Sequence, residues 1–446
     1  MSGTMHRPAT QDGRRTVAAV VTEYRYMAHA QNIVNKLLEG YLLHWVHVPP
    51  RVRVASLFMD QTPEDDIGRE MAAKHSVPLF PTIKDALTLG GDSLAVDGVV
   101  LLGEHGNYPL NEKGQRQYPR RRFFEETVEV FRQSGRVVPI FNDKHLAYNW
   151  EDAKWIYDTA TSMKIPMMAG SSMPLSFRAP PLEVPLGAPV EEIVVVADGG
   201  LESYGYHALE IAQCLADRRR GHETGVAAVQ CLTGNVFWDA VDAGDRWSRG
   251  LQDAALAAVG HLPGTLREVW DAGAAGTAGA AGTASARNEA PRLAAQPQPW
   301  LRHTGAPKRP PRATPPPEGG GRREWAAFLI EYLDGLRVTV LMIGGYVMRR
   351  GVALRIAGQD QPWATWFLQQ RTRNQLWHFD AQVDHIERMV ETGRAPYPLE
   401  RTLLTTGLID AIMSSRHMGG ERLETPHLAI RYEPAEASIR LSAFTY

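Results

Sequence analysis

The sequence predicts an α/β protein in which a parallel sheet is followed by a second domain with an antiparallel or mixed sheet. Three observations predict it. Short apolar runs alternate with helical patterns from Thr16 to Ala169, the order of βαβ units around a parallel sheet. Later strand-like runs at 337–343, 351–357 and 363–369 are joined by short Gly- and Asp-containing turns, with two long helical patterns after them. Several of the early runs stop abruptly at polar residues, as strands do where a sheet's carboxyl edge opens on a ligand crevice.

Taken in order, Thr16–Val21 is a β-branched run and a first strand, and the polar turn Thr22–Met27 leads into a helix over Ala28–Glu39. Arg51–Met59 alternates as a second strand and ends at Asp60, before a helix over Glu64–His75. Val77–Pro81 reads as a short third strand, Ile83–Leu89 as a short helix and Val96–Leu102 as a fourth strand ending at Gly103, Glu104 and His105. A helix over Arg121–Ser134 precedes the stretch GRVVPIFNDKHL, in which an apolar run (Val137 to Phe141) meets Asn142, Asp143, Lys144 and His145. A helix (Asn149–Met163) and a strand (Pro166–Ala169) follow. The second half opens with Glu192–Ala197 as a strand, Tyr206–Arg218 as a helix and Val226–Leu232 as a strand, and closes with helices at Trp377–Thr392 and Leu399–Met418. This gives a flexible tail (1–15), a first domain (16–188) and a second domain (189–271 and 322–446). The Ala/Gly/Thr-rich, then Pro/Arg-rich stretch 272–321 reads as a disordered insertion.

Composition narrows the function classes. The chain has 446 residues, 44% hydrophobic and 22% charged, with a formal net charge of −2. No global basic field argues for nucleic acid or an anionic membrane surface. The cysteines, Cys214 and Cys231, form neither a zinc spacing nor a disulfide framework, which fits a reducing cytoplasm. The amino-terminal segment has no apolar core of a signal peptide, and no uncharged apolar run reaches the ~18 residues of a membrane span. A cytoplasmic protein acting on a small molecule is expected.

The residues that carry chemistry gather at strand ends. The turn after the first strand, VTEYRYMAHA, is the usual seat of a phosphate loop, yet it has no glycine, and Glu23 sets a negative charge beside Thr22. Asp60 ends the second strand, where an acid can accept ribose hydroxyls or simply cap a turn. Glu104, His105, Asp143, Lys144 and His145 converge on one sheet edge, either as a shared site or as ordinary solvated edge residues. In ADGGLESYGYHALEIAQCL (197–215), His207 lies near a helix start and faces a cleft or the core. The run Arg120-Arg121-Arg122 could bind an anionic group or form a solvated helix face.

The order of these pieces resembles the Gfo/Idh/MocA oxidoreductases. AAKHSVPLFPTIKDAL is similar to that family's AAKYGVPVYTDYEEAL-type segment. Asp143, Lys144, His145 and Leu146 fall on its E-K-P-L motif, with the lysine kept and the proline lost. GGLESYGYHALE resembles the pattern G-G-x-L-x-D-x-G-x-H-x-x-D, with Gly205 and His207 kept, Ser203 in place of one aspartate and Glu210 in place of the other. The closing stretch HIERMVETGRAPYPLERTLLTTGLIDAIMSSRHMGG resembles the family's last helices.

The resemblance implies a Rossmann-like N-terminal domain and a C-terminal α/β domain with a mostly antiparallel open sheet. It implies NAD or NADP as cofactor, with contacts from Thr22, Glu23, Asp60, Glu104, His105 and Lys144. Catalytic roles fall on Lys144 and His207, in hydride transfer to or from a polyol, sugar or related hydroxy compound. Two other readings stand beside it. Glu104, His105, Asp143 and His145 could hold a divalent metal for a lyase, isomerase or hydrolase, or the scaffold could serve binding and assembly alone. The 337–369 strands are expected to turn one face to the domain's own helices, such as 377–392, and to leave an apolar face for a homodimer or homotetramer.

Overall fold

The computed structural model describes residues 13–44, 46–276, 324–369 and 376–440. In chain order the first elements are β1 (Arg15–Val21), α1 (His29–Glu39), β2 (Tyr41–Leu43), β3 (Val46–Val48) and β4 (Val52–Met59). Next come α2 (Gly68–Lys74), α3 (Ile83–Thr88), β5 (Gly98–Leu102), α4 (Arg120–Ser134), β6 (Ile140–Asp143), α5 (Trp150–Ser162) and β7 (Met167–Gly170). The five strands β4-β1-β5-β6-β7 form a parallel sheet in that order. The chain winds outward from β1 in both directions, so the carboxyl ends of β1 and β5 flank the topological switch point.

The second sheet uses β8 (Arg178–Ala179), β9 (Val190–Ala197), β10 (Val226–Thr233), β11 (Ala326–Tyr332), β12 (Arg337–Met342), β13 (Arg350–Ile356), β14 (Trp363–Phe367) and β15 (Leu423–Glu424). Its order is β15-β10-β11-β12-β9-β13-β14-β8, with β12–β9 the parallel pair and the other pairings antiparallel. The helices around it are α6 (Ser203–Ala216), α7 (Gly234–Ala243), α8 (Arg249–Val259) and α11 (Leu399–His417), and α10 (His378–Thr392) lies just before α11 in the chain. The expected fold class holds. Cys214 and Cys231 are buried free thiols, and no helix among the described residues is long and apolar enough to cross a membrane.

Local chemistry moves several boundaries. Val77–Pro81 is not a strand: only Leu79 bridges Leu57, because Pro78 and Pro81 carry no N–H for a ladder. β6 starts at Ile140, after Pro139, with Val137 exposed. The helix expected from Glu64 starts at Gly68, where the Asp66 carboxylate accepts the Gly68 and Arg69 N–H groups. The hairpin β2–β3, strand β11 and helices α7 and α8 were not foreseen.

Two packing expectations are overturned. Helix α10 does not cover the second sheet. Phe379, Val383, Ile386 and Met389 join Val17, Ala19, Ile33 and Val34 in the core of the first sheet. Polar contacts hold it there. Lys36 and Asp380 form a buried ion pair at 2.6 Å, and the Tyr41 hydroxyl donates to Glu387 at 2.7 Å. The other correction concerns the face reserved for self-association. One face of the second sheet packs Val195, Val340, Val352 and Leu354 against α6 and α11. On the other, α8 lies across β9, β13 and β14, and buries Leu251, Ala255, Leu256 and Val259. Val194, Val196, Leu341 and Ala353 are therefore buried within the chain, and the apolar face that argued for a dimer is covered.

A second compact unit spans Leu262–Arg323. Its described part contains α9 (Leu266–Gly276). Thr265 and Glu268 form a capping box: the Thr265 N–H donates to Glu268 at 2.7 Å, and the Glu268 N–H donates to the Thr265 hydroxyl at 3.2 Å. The helix thus runs past 272, where the insertion was expected to begin. Residues 277–321 of that stretch, and 1–12 of the expected tail, lie outside the described residues.

The α8 contact leaves no room at Gly351, where a Cβ would meet Val259 Cγ1 at 2.6 Å and the Ala255 carbonyl at 2.8 Å. Gly351→Ala is expected to destabilise the protein by ~1–3 kcal/mol through overpacking. Urea denaturation checks it, and Val259→Ala in the same chain should recover part of the loss.

Candidate functional site

The site is built where β1, β5 and β6 end, opposite the start of α6. Thr22 ties the first two ends together. Its N–H donates to the Leu102 carbonyl at 3.1 Å and its hydroxyl to the Glu104 carbonyl at 2.6 Å. That anchors Glu104 as the chain leaves β5. The Glu104 carboxylate is 4% exposed and accepts from Arg120 Nη2 at 2.6 Å and Lys144 Nζ at 2.8 Å. Burial alone would raise its pKa, but Lys144 and Arg120 outweigh it and hold the carboxyl well below the usual range. Arg120 comes from the first turn of α4, so one of the three consecutive arginines is an internal partner. Arg122 pairs with Asp60, and Arg121 lies over the Trp155 ring.

Lys144 is 1% exposed and also donates to the Ser203 hydroxyl at 3.2 Å. Ser203 and His207 stand four residues apart on α6, on one face. Lys144 thus reaches the α6 face that carries His207, and its charge acts on the imidazole. His207 Nδ1 lies 2.6 Å from the Ser171 hydroxyl, which also accepts the Met173 N–H at 3.0 Å. Burial, then the charges of Lys144 and Arg350, push the His207 pKa well down and keep the imidazole neutral. Asp143, Lys144 and His145 are each 1% exposed, which excludes a solvated loop.

The proposed metal set does not assemble. Asp143 accepts from His29 Nδ1 at 2.5 Å, and the His145 ring lies tilted against Tyr206 with centroids 4.1 Å apart. A different trio, His29, Glu104 and His105, brings donor atoms within 4.8 Å of one another. Both Glu104 oxygens in it are already bound to cations, which disfavours a further positive ion.

The turn after β1 makes its bend without glycine. Met27 takes the left-handed conformation at φ 65°, and its N–H is held by Gln31 Oε1 at 2.7 Å. Glu23 is buried and pairs with Arg25 Nε at 2.5 Å, so its charge is compensated inside the turn. Asp60 accepts from the Tyr108 hydroxyl at 2.7 Å and from Arg122 at 2.5 Å. His105 sits at the switch point with Nε2 buried and without a partner, its pKa pushed down to about 3 by burial and by His29.

Sequence reasoning missed His29, Ser171, Arg350 and His378. His29 opens the first helix and could have been found from its place after the turn. The others carry no motif. Glu210, at the pattern's last acidic position, is a structural anchor: it is fully buried and pairs with Arg401 at 3.0 Å and Thr405 at 2.7 Å.

Four histidines of the site (the half-buried His105 and the buried His145, His207 and His378) have depressed proton affinity, each through desolvation first. The unfolded chain takes up those protons near pH 6.5 and the folded chain does not. Their stabilisation is full above pH 6.5 and is lost as pH falls below it, at up to ~1.4 kcal/mol per pH unit for each. Asp217 and Asp380, pushed up to about 7 and about 6 by burial, act in the opposite sense over part of that window. The histidines outnumber them, so the urea midpoint is expected to be lower at pH 5 than at pH 7.5. An equal or higher midpoint at pH 5 would show that these rings titrate freely.

No protein-family model matches the chain, and no curated protein sequence matches it. Solved structures do match in fold. GenD2 from gentamicin A biosynthesis, in complex with NAD, is similar over 95% of this chain and 99% of its own, with a TM-score of 0.52 and 13% identity. An oxidoreductase from Agrobacterium radiobacter, in complex with NAD+, L-tartaric acid and magnesium, covers 92% and 98% at TM-score 0.50 and 12% identity. The scyllo-inositol dehydrogenase of Lactobacillus casei covers 92% and 98% at TM-score 0.50 and 7% identity. Over nearly its whole length this chain shares the fold of these solved structures.

Proposed function

We propose that the protein is an NAD(P)-dependent oxidoreductase acting on a hydroxy compound, a polyol or a sugar derivative. The observation that carries this reading is the convergence of a neutral buried His207 with the Glu104–Lys144 ion pair at the carboxyl edge of the first sheet. The fold neighbours support it, since GenD2 and the A. radiobacter enzyme are NAD complexes.

The residues present fit such a cofactor at two of its parts. Arg25 brings a cationic group and His29 an imidazole to the start of α1, where a helix N-terminus favours phosphate, and the unpartnered His105 Nε2 offers a further hydrogen bond at the switch point. Lys144 is the group that would lie toward the nicotinamide. Bound there, the cofactor supplies the acceptor or donor of hydride. At the adenosine ribose end, Asp60 would receive hydroxyls in competition with the Tyr108 hydroxyl that it now accepts. His207 does the proton work. With Nδ1–H donating to the Ser171 hydroxyl, the Nε2 lone pair accepts the substrate's hydroxyl proton as the carbinol carbon gives up hydride. Lys144, fixed by Glu104 and Ser203, holds the substrate oxygen and stabilises negative charge developing on it.

His207→Asn is expected to lower kcat/KM by ~10²–10⁴ with little change in melting temperature. Because its imidazole is kept neutral, the acidic limb of the wild-type kcat/KM profile should lie below pH 6.5. Tyr108→Phe should tighten NAD(P)H binding in calorimetry, since it removes the competitor for Asp60. Absence of NAD(H) and NADP(H) binding at millimolar concentration in both wild type and Tyr108→Phe would overturn the reading. Assembly as a homodimer or homotetramer is part of the same proposal, and with α8 over the sheet it would use another surface. Light scattering of the full chain tests it.

A further inference from the structure

The neutral-polyol picture leaves one group at the site unexplained. Arg350 opens β13, antiparallel to β9, whose carboxyl end leads through Asp198 into the α6 turn. The residue is 1% exposed, and its Nη2 lies 3.1 Å from Asp198 Oδ1. Despite that proximity, Nε, Nη1 and Nη2 are all buried without a hydrogen-bond partner, and Asp198 Oδ1 is in the same state. Among the described residues no other arginine has all three guanidinium nitrogens buried and unbonded. Arg120, Arg178 and Arg401, equally buried, each donate to carboxylate or carbonyl oxygen.

The position of this guanidinium ties it to the reacting end. Its Cζ lies 5.1 Å from the ring centroid of Tyr204, and the same ring is 6.0 Å from that of His207. Tyr204 and His207 are three residues apart on α6, so one tyrosine is flanked by the arginine and the proton-transfer imidazole. Tyr204 is 44% exposed and Asp198 is partly exposed, which opens this side of the cluster to solvent. Nearby, His378 Nδ1 is a second buried polar atom without a partner. A set of buried donors left unmade is costly, and a ligand that accepts from them recovers that cost.

We propose that Arg350 binds an anionic group of the substrate, and that the substrate is a hydroxy acid: a polyol or sugar bearing a carboxylate. The inference rests on the oxidoreductase reading of Lys144 and His207. The fork of a guanidinium matches the two oxygens of a carboxylate. Local charge also selects a monoanion. Lys144 and Arg120 share the one Glu104 carboxylate, and Asp198 stands beside Arg350, so the cluster has a single formal positive charge in excess, which suits a monoanion better than a phosphate dianion.

The test measures binding of D-gluconate, D-glucuronate, D-glycerate, D-glucose 6-phosphate and myo-inositol to the full chain by calorimetry, without cofactor. At least one hydroxy acid is expected to bind, with myo-inositol and glucose 6-phosphate weaker. Arg350→Lys keeps the charge and loses the fork, and Arg350→Met loses both. Each should weaken the acid by roughly 30-fold or more. Asp198→Asn, which removes the internal competitor, should tighten it. Arg355→Ala, on the same strand but exposed, should leave it unchanged. No binding of any hydroxy acid to the wild type, or binding equal in wild type and Arg350→Lys, overturns the proposal. Glucose 6-phosphate binding more tightly than every acid, and lost in Arg350→Lys, overturns the carboxylate assignment. Turnover separates the two readings. Acid binding that depends on Arg350 without NAD(P)-linked oxidation leaves this inference standing and sinks the oxidoreductase reading. Oxidation of neutral polyols, with no dependence on Arg350, does the reverse.

Discussion

The interaction on which the site depends is the Glu104 carboxylate held between Arg120 and Lys144. All three groups are nearly inaccessible to water. A lone ammonium at that depth would shed its proton or pull the structure open, because burial disfavours its charged form. Here Glu104 accepts from Lys144 on one oxygen and from Arg120 on the other, and these two partners hold its carboxyl ionised. The cluster also joins three separate parts of the chain: the exit of β5, the start of α4 and the end of β6. Breaking one partner would leave a buried charge uncompensated, which is far more damaging than losing an exposed ion pair.

The same cluster explains why the surrounding histidines are neutral. Lys144 and Arg350 act on His207, and His29 acts on His105, each in addition to burial. Positive charge already in place thus opposes protonation of the rings that could take part in proton transfer. A base that is neutral at physiological pH is ready to accept a proton without first losing one.

Much of this was legible in the sequence, for identifiable reasons. Apolar runs that stop at polar residues gave the strand ends that carry Glu104 and Lys144, while Ser203 was named only through the family resemblance and His207 from its place near a helix start. Asp60 was placed at its strand end, while its pairing with Tyr108 and Arg122 depends on how residues 104–124 fold back, which no local pattern encodes. Helix α8 was missed because its sequence, RGLQDAALAAV, is rich in alanine and shows only a short apolar stripe. That omission left the second sheet with a bare face on paper and produced the wrong surface for assembly. Helix α10 was assigned to the nearer sheet in sequence, whereas its stripe and the buried Lys36–Asp380 pair belong to the other. Arg350 had no signature at all, since a strand-opening arginine gives no hint that its guanidinium is buried beside Tyr204.

The departures from the family pattern turn out to compensate one another. Where the pattern has an aspartate on the helix that carries the histidine, this chain has Ser203, which offers Lys144 a hydroxyl but no charge. The missing negative charge is supplied from a different element, by Glu104 at the end of β5. The first turn, which has no glycine, bends through a left-handed Met27 whose N–H is tied to Gln31. A non-glycine residue in that conformation costs roughly 1–2 kcal/mol, and the local hydrogen bond helps to hold it there. Reading conservation of a motif position by position would count both as losses. Counting charge and backbone geometry instead shows that the lysine keeps a carboxylate partner and the turn keeps its bend. The chemistry of such a site is therefore carried by the constellation, and the residue that supplies each part can move from one strand or helix to another.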